Sequence, residues 1–352
     1  MYPKVHIHLK KYAHNIHHLL SMLHQKGISM MAVSKVFSAD SRLIDVLNKA
    51  NVDYIADSRI ENLKKIETHK SKVLLRIPMM SEISDVIKYS DISLNSELEI
   101  IDALNLEAKK RNKIHSIILM FDIGDLREGI YYKDDYLKVV KEIITYGHIN
   151  LLGIGTNLTC YGAVIPTNET YLKLENIIKN IEDNLNIKLE MISGGNSSSI
   201  LMVSDQNIPK YINNLRVGEA LVLGRETAYG NTIEGLYDDV FTLEAEIIEI
   251  KKKPSMPEGL LGMDAFGKKV KFVDQGIITR AILAIGKQDC DCSNLIPPHG
   301  VHILGCSSDH LIVELKDILL EIGDTITFKL NYGGILSVLT SPYVEKTYDQ
   351  SL

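Results

Sequence analysis

The stretch Ile28-Ser29-Met30-Met31-Ala32-Val33-Ser34-Lys35, with a helix-patterned segment following from about Ser41, decides how the chain folds. Its apolar run is unbroken rather than alternating. That is the pattern of a strand covered on both faces, and such strands belong to parallel sheets whose crossovers are helices. The same unit recurs along the first two-thirds of the chain. Strand candidates stand at residues 30–33, 54–56, 73–77, 91–94, 116–121, 151–155, 190–192 and 214–223. Helix-like segments at 41–50, 59–68, 97–111, 134–146 and 171–184 separate them, with Ser96 and Asn168 as N-cap candidates. Eight strands are the number that closes a (β/α)8 TIM-type barrel, and an open doubly wound sheet is the rival.

Past about Gly235 the texture changes. Segments 241–250, 269–273, 278–285, 301–304, 311–315 and 325–330 read as strands, with turns at Pro254, Gly276, Pro297-Pro298 and Gly323 and little helical pattern. The expected organisation is α/β: a barrel over residues 10–235, then a mostly β domain over 236–352 that an N-terminal strand within 1–9 joins. The whole, 352 residues, suits one large and one smaller domain.

A formal net charge of -6 without a basic tract argues against nucleic acid and anionic membrane as partners. No apolar run reaches the roughly 18 residues of a membrane span, and Met1-Tyr2-Pro3-Lys4-Val5-His6 lacks a signal peptide's basic-then-apolar order. Four cysteines, two of them close together (Cys290 and Cys292), fit a reducing compartment. These features predict a cytoplasmic enzyme and go no further.

Barrel enzymes carry their chemistry at the C-terminal ends of the strands, and the notable residues fall there. Lys35 follows the first strand. A lysine at the mouth of a buried strand either snorkels to the surface or, with burial depressing its pKa, becomes an amine able to attack a carbonyl and hold a Schiff base. Asp122-Ile123-Gly124-Asp125-Leu126-Arg127-Glu128-Gly129 follows the fifth strand and Thr156-Asn157-Leu158-Thr159-Cys160-Tyr161-Gly162 the sixth. Ser193-Gly194-Gly195-Asn196-Ser197-Ser198-Ser199 follows the seventh, and Arg216-Val217-Gly218-Glu219 lies at the eighth. The glycines and serines of 193–199 form either a surface turn or a phosphate cradle of backbone N–H groups and hydroxyls, in the usual barrel position for one. A carbonyl-holding lysine and a phosphate cradle on one barrel imply pyridoxal 5'-phosphate (PLP).

On these residues the chain resembles the alanine racemase-type, fold-type III PLP enzymes over essentially its whole length. Ala32-Val33-Ser34-Lys35 resembles that family's cofactor-lysine strand, and the 122–129 loop resembles the one whose arginine steadies the catalytic site, here Arg127. Asn196-Ser197 resembles the phosphate-binding pair. Arg216-Val217-Gly218 resembles the segment whose arginine faces the pyridine nitrogen, and Asn331-Tyr332 resembles the pair whose tyrosine hydroxyl reaches the phosphate. Arg216 keeps its proton and so leaves the cofactor ring a weaker electron sink, which suits a racemase. Glu219 is the alternative at that nitrogen, one turn away. The resemblance implies a homodimer with shared active sites, the β domain of one chain closing the barrel mouth of the other.

The chain departs from the family at three places. Lys287 in Gly286-Lys287-Gln288-Asp289-Cys290-Asp291-Cys292 takes the position of the tyrosine that serves the second face, Asn157 that of a ring-stacking histidine, and Ala39 that of a phosphate-contacting tyrosine. Together with 124–129 and 157–162, these features resemble the ornithine racemase branch. The implied reaction is two-base racemisation of ornithine or a similar basic amino acid, with Lys35 on one face and Lys287, Asp289 or Cys290 on the other. Alanine or broad-specificity racemisation, a PLP lyase or decarboxylase, and a non-catalytic PLP carrier are the alternatives, the long C-terminal domain speaking against the last.

Asp289 and Asp291 pair with a substrate's distal ammonium on one reading and are solvated loop acids on the other. Gly305-Cys306-Ser307-Ser308-Asp309-His310-Leu311 resembles the family's substrate-carboxylate region, giving Ser308 and Asp309 a part in substrate binding. Cys290, Cys292, His299 and His302 include zinc-type donors, but their spacing fits a zinc site poorly, and no metal is assigned.

Overall fold

The computed structural model describes residues 1–264, 266–267, 269 and 271–349. Two compact units emerge, one comprising Lys11–Asp238 and the other Met1–Lys10 with Asp239–Leu352. The first strand, β1 (Lys4–Ile7), belongs to the second unit. The larger unit is a closed parallel barrel. Its strands are β2 (Ser29–Val33), β3 (Tyr54–Asp57), β4 (Ser71–Leu74), β5 (Ile92–Asn95) and β6 (His115–Asp122). A two-residue β7 (Ile130–Tyr131) pairs with the end of β6, and β8 (Ile149–Thr156), β9 (Met191–Ser193) and β10 (Asn214–Val217) complete the set. The order β5-β4-β3-β2-β10-β9-β8-β6 closes through β5–β6, which settles the question against an open sheet.

Closure follows from the alternation hidden inside the apolar runs. Met31 and Val33 of β2, Ile92 and Leu94 of β5, Ile118 and Met120 of β6, and Met191 of β9 meet in one buried cluster that fills the interior. A side chain at Gly153 of β8 would stand 1.8 Å from the Met191 carbonyl oxygen, so only glycine lets β8 and β9 pair at this point.

Several local expectations are corrected. The predicted strand 214–223 ends at Val217; Glu219–Leu223 folds as a helix, entered through Gly218 and closed by Gly224 in the left-handed conformation (φ 58). Helix Leu98–Lys110 is entered through Glu97 rather than Ser96, and helix Asn168–Leu185 is capped by Thr167, which accepts from Thr170 N, rather than by Asn168.

The second unit is a largely antiparallel sheet. Its strands are β11 (Phe241–Pro254), β12 (Ile277–Leu283), β13 (Leu295–Ile296), β14 (Val301–Cys306), β15 (Leu311–Leu315), β16 (Thr325–Leu330) and β17 (Glu345–Tyr348), in the order β13-β16-β11-β12-β15-β14. β1 pairs antiparallel with β11 and parallel with β17. The predicted strand 269–273 does not form: Lys269 and residues 271–273 are irregular, and Val270 lies outside the described residues. A helix absent from the sequence reading, Tyr332–Thr340, is capped by Asn331, whose Oδ1 accepts from Gly334 N at 2.9 Å. No helix among the described residues is long and apolar enough to cross a membrane.

One buried histidine gives the barrel a pH signature. His115 opens β6 with its ring Nε2 2.8 Å from Ser93 Oγ, and burial, with Lys113 adding to it, lowers its pKa from 6.5 to about 4. Below 6.5 the unfolded chain takes a proton that the folded chain refuses until about 4. The contribution is therefore fully present above 6.5 and lost as pH falls through that window, on the order of 3 kcal/mol in all. A His115→Gln variant should flatten the acid limb of melting temperature against pH. A variant tracking the wild type through that window would show that the protons are taken up elsewhere.

Candidate active site

The functional side chains of the barrel unit gather where strands β2, β3, β6, β8, β9 and β10 end. Ser34 continues β2 into a short turn of helix, Lys35–Phe37. Ser34 is buried, and its Oγ donates to Asp57 Oδ2 at 2.6 Å. Asp57 ends β3, fully buried, and its other oxygen accepts from Arg59 N (2.9 Å) and Asn62 Nδ2 (3.0 Å). Burial pushes the Asp57 carboxyl upward, against the pull of Ser34 and those donors. The backbone under Lys35 is thus pinned by a carboxylate 22 residues further along, a partner that spacing does not reveal. Lys35 itself stands exposed. Burial within this chain, the expected source of its reactivity, is not what the fold provides.

Arg216 is the opposite case. It is 5% exposed, and its guanidinium reaches across the ends of two neighbouring strands. Nη1 donates to Ser193 Oγ at 2.6 Å, while Nη2 donates to the Thr156 carbonyl at 2.6 Å and to Asn157 Oδ1 at 3.3 Å. Burial lowers its pKa to about 10, so the group stays charged near neutrality. Glu219 lies apart from this network, accepting from Arg225 Nε at 2.8 Å. Of the two candidates for the pyridine nitrogen, only Arg216 is part of this buried cluster.

Beside it is a cradle of small polar groups. Gly218 N (3.3 Å) and Ala220 N (3.2 Å) both donate to Ser197 Oγ, and Asn196 Oδ1 accepts from Ser198 N at 2.8 Å. Ser198 Oγ is buried without a hydrogen-bond partner. A side chain at Gly218 would press on Val33 Cβ at 3.2 Å, crowding the strand that carries Lys35. Backbone N–H groups and hydroxyls, with an orphaned hydroxyl among them, are the donor chemistry that holds a phosphate. With Lys35 and Arg216 nearby on the ends of adjacent strands, these residues fit PLP.

Arg127 is 41% exposed, paired with Glu128 and donating from Nη1 to Cys160 Sγ at 2.7 Å. Its loop is tied to the 156–164 loop by Asp125, whose buried carboxylate accepts from Cys160 N (3.3 Å), Tyr161 N (3.0 Å) and Val164 N (3.1 Å). The sequence reading passed over Asp125 as a site-building residue. Gly162 was the available hint, since a side chain there would meet the Asp125 carbonyl oxygen at 2.5 Å.

In the β-sheet unit, two loops come together. Lys287 N donates to the Ser307 carbonyl and Gln288 N to the Ser308 carbonyl, each at 3.0 Å, so Lys287 lies beside Ser308 and Asp309. The Lys287 ammonium sits 3.5 Å above the Phe266 ring. Asp309 accepts from Ser307, Ser308 and His310, and those bonds, His310 foremost, hold its carboxyl below the usual range. Asp289 is 5% exposed, with Oδ1 accepting from Ser341 Oγ at 3.0 Å. Asp291 caps a short helix by accepting from Ser293 N at 3.0 Å. Asp291 thus holds its own loop, and Asp289 joins that loop to Ser341. Cys290 is buried and pushed up to about 12, chiefly by burial, which disqualifies it as a base near neutral pH. Tyr332 opens the Asn331-capped helix. Among the described residues, no group of three His, Cys, Asp or Glu side chains is arranged to hold a metal.

A family model described as the alanine racemase N-terminal domain matches residues 7–226. The chain is 49% identical over 350 residues to the ornithine racemase of Acetoanaerobium sticklandii, covering 98% of this chain and 99% of that protein. It is 40% identical over 360 residues to the lysine racemase of Thermotoga maritima, with both chains fully covered. Among solved structures, the alanine racemase of Bartonella henselae with covalently bound pyridoxal phosphate aligns over 99% of each chain with a TM-score of 0.77 at 19% identity, a likeness of fold.

Proposed function

The chain belongs to the alanine racemase family and is an amino-acid racemase, and on that premise we propose that it interconverts L- and D-ornithine, or a similar basic amino acid, with PLP as cofactor. The observation that carries the mechanism is the buried Arg216 guanidinium, whose hydrogen bonds all run to neutral oxygens. With PLP bound, it would offer the pyridine nitrogen a hydrogen-bond donor and withhold the proton itself. Removal and return of a proton at Cα is then favoured over deeper electron withdrawal. The full-length likeness to ornithine and lysine racemases supports a basic substrate.

Each residue then has a task. PLP, when bound, supplies the ring that acidifies the substrate's α-hydrogen. Lys35 would hold PLP, and its Nζ would move the α-proton on one face. Asn196, Ser197, Gly218 and Tyr332 hold the phosphate, with Glu219 outside that set because Arg225 engages it. Arg127 steadies the substrate. Lys287 carries the proton on the second face, contributed within a homodimer. Ser308 and Asp309, whose loop pairs with the backbone of Lys287 and Gln288, take part in substrate binding, and Asp289 and Asp291 are the other carboxylates proposed for a distal ammonium. The protein acts in the cytoplasm.

The test is incubation with L-ornithine, L-lysine and L-alanine in deuterated water with and without PLP, followed by chiral chromatography and mass spectrometry. The expected product is PLP-dependent D-ornithine carrying deuterium at Cα. Exchange without inversion would remove Lys287 from the second face. Loss of mass from the substrate would replace racemisation with a lyase reaction.

A further inference from the structure

Asn214 opens β10 two residues before Arg216, so the two side chains leave the strand on the same face. The register sets Asn214 between Ser29 of β2 and Ser193 of β9. The four side chains form one series of hydrogen bonds. Arg216 Nη1 donates to Ser193 Oγ at 2.6 Å, Ser193 Oγ donates to Asn214 Oδ1 at 2.7 Å, and Asn214 Nδ2 donates to Ser29 Oγ at 3.1 Å. The series ends on backbone: Ser29 Oγ donates to the Asn213 carbonyl at 2.9 Å, and Asn214 Nδ2 also reaches the Ser29 carbonyl at 3.3 Å. Ser193 and Asn214 are wholly buried.

Every proton in the series points away from Arg216, and the Ser29 carbonyl is the reason. A carbonyl oxygen only accepts, so the Asn214 amide stands with its NH2 toward Ser29 and its oxygen toward Ser193. Ser193 then donates to Asn214 and keeps its lone pairs for the guanidinium. With the amide turned over, its oxygen would oppose the Ser29 carbonyl. The Ser193 hydroxyl would lose its acceptor and meet donors on both sides, since a guanidinium accepts nothing. Such mismatches are costly in a buried place, so a single direction is enforced.

We propose that Asn214 is a positioning residue for Arg216: it commits the Ser193 hydroxyl to donate away from the guanidinium, so that Ser193 offers Arg216 an acceptor at one fixed place. The proposal rests on the reading of Arg216 as the partner of the cofactor's pyridine nitrogen. It assigns a part in the reaction to a residue that acts on the ring only through two others. A leucine at this position would fill a similar volume, yet it would release the Ser193 hydroxyl to rotate.

The experiment measures kcat and KM for ornithine in the PLP-loaded enzyme. In the PLP-free protein it measures the Kd of 4'-deoxypyridoxine 5'-phosphate, a cofactor analogue with ring and phosphate but no aldehyde. Asn214→Leu and Ser193→Ala should each lower kcat about 10-fold and raise the analogue's Kd roughly 3- to 10-fold, the worth of one ordinary hydrogen bond, with KM within about threefold. Ser29→Ala keeps the carbonyl that orients the amide and should track the wild type in all three readouts. Added to Arg216→Lys, Asn214→Leu should cost no further kcat, because the group it positions is already gone. A wild-type kcat and Kd in Asn214→Leu would overturn the proposal, as would a full further loss on the Arg216→Lys background, which would make Asn214 a packing residue. Should Asn214→Leu fail to fold, Ser193→Ala decides, and an unchanged kcat and Kd there overturns the proposal. If Arg216→Lys itself racemises and binds the analogue as the wild type does, the reading of Arg216 falls, and the proposal with it. A slow Arg216→Lys beside an indifferent Asn214→Leu overturns the positioning role alone.

Discussion

Replacing Lys35 by alanine should abolish measurable racemisation while leaving the fold as stable as before. The two halves of that expectation come from different parts of the structure. Lys35 is exposed, and the backbone beside it is held by Ser34, through its N–H to the Ala56 carbonyl (2.8 Å) and its hydroxyl to Asp57 (2.6 Å). Truncating an exposed side chain away from such anchors changes stability by about 0.5 kcal/mol or less. The chemistry loses both the covalent hold on the cofactor and the base on one face. A positioned proton-transfer group alone contributes about 10²- to 10⁴-fold in rate, so a loss of at least about 10³ is expected. The measurements are chiral product analysis, the visible absorbance of the lysine-bound cofactor and a thermal melt. An alanine variant that still racemises within tenfold of wild type would move the catalytic amine elsewhere. A large drop in melting temperature would instead mean that Lys35 props up the barrel mouth.

Much of this architecture could be read from the chain because parallel strands buried on both faces leave an uninterrupted apolar signature. Met30-Met31-Ala32-Val33 and Ile117-Ile118-Leu119-Met120 admit few other readings. The same property misled at Ala220-Leu221-Val222-Leu223, where a short apolar run reads equally as strand or buried helix, and where Gly218 and Gly224 held the answer. The helix Tyr332–Thr340 was hidden by Gly333 and Gly334, poor helix formers that here crowd against Asn294. The candidate lysine, arginine and Asn-Ser pair could be picked out because each stands at a strand end, where a barrel carries its chemistry. Asp57 and Asp125 could not. Each carboxylate holds loops far away in sequence, through backbone N–H groups or a hydroxyl that carry no residue signature. Asp289, open in the sequence to a substrate ammonium or to a loop role, is buried and bonded to Ser341, a partner 52 residues away that spacing does not reveal.

The Arg216→Lys variant should lose about 10²-fold in racemisation and should also melt earlier, unlike the Lys35 variant. A lysine keeps the charge, so a loss would come from geometry. The guanidinium joins Ser193 Oγ, the Thr156 carbonyl and Asn157 Oδ1 from one rigid plane, with the two shortest contacts at 2.6 Å on different nitrogens. An ammonium is a single point at the end of a flexible stem and cannot hold all three. Ser193 would keep a partner in Asn214 Oδ1 at 2.7 Å. The Thr156 carbonyl would lose a charged donor in a buried place, at a cost of about 1–3 kcal/mol. The strongly hydrated ammonium is also harder to bury than the guanidinium, which deepens the loss. On the chemical side the cofactor's ring would lose a fixed donor, and fixed donors at a developing charge are worth about 10²- to 10³-fold where they have been removed singly. Kinetics at saturating PLP, with a melt on the same preparation, separates the two effects. If Arg216→Lys melts early yet racemises at the wild-type rate, Arg216 is a structural tie between β8, β9 and β10 and the ring's partner must be sought elsewhere. If it racemises slowly with an unchanged melt, the role is catalytic and the buried hydrogen bonds matter less to folding than their lengths imply.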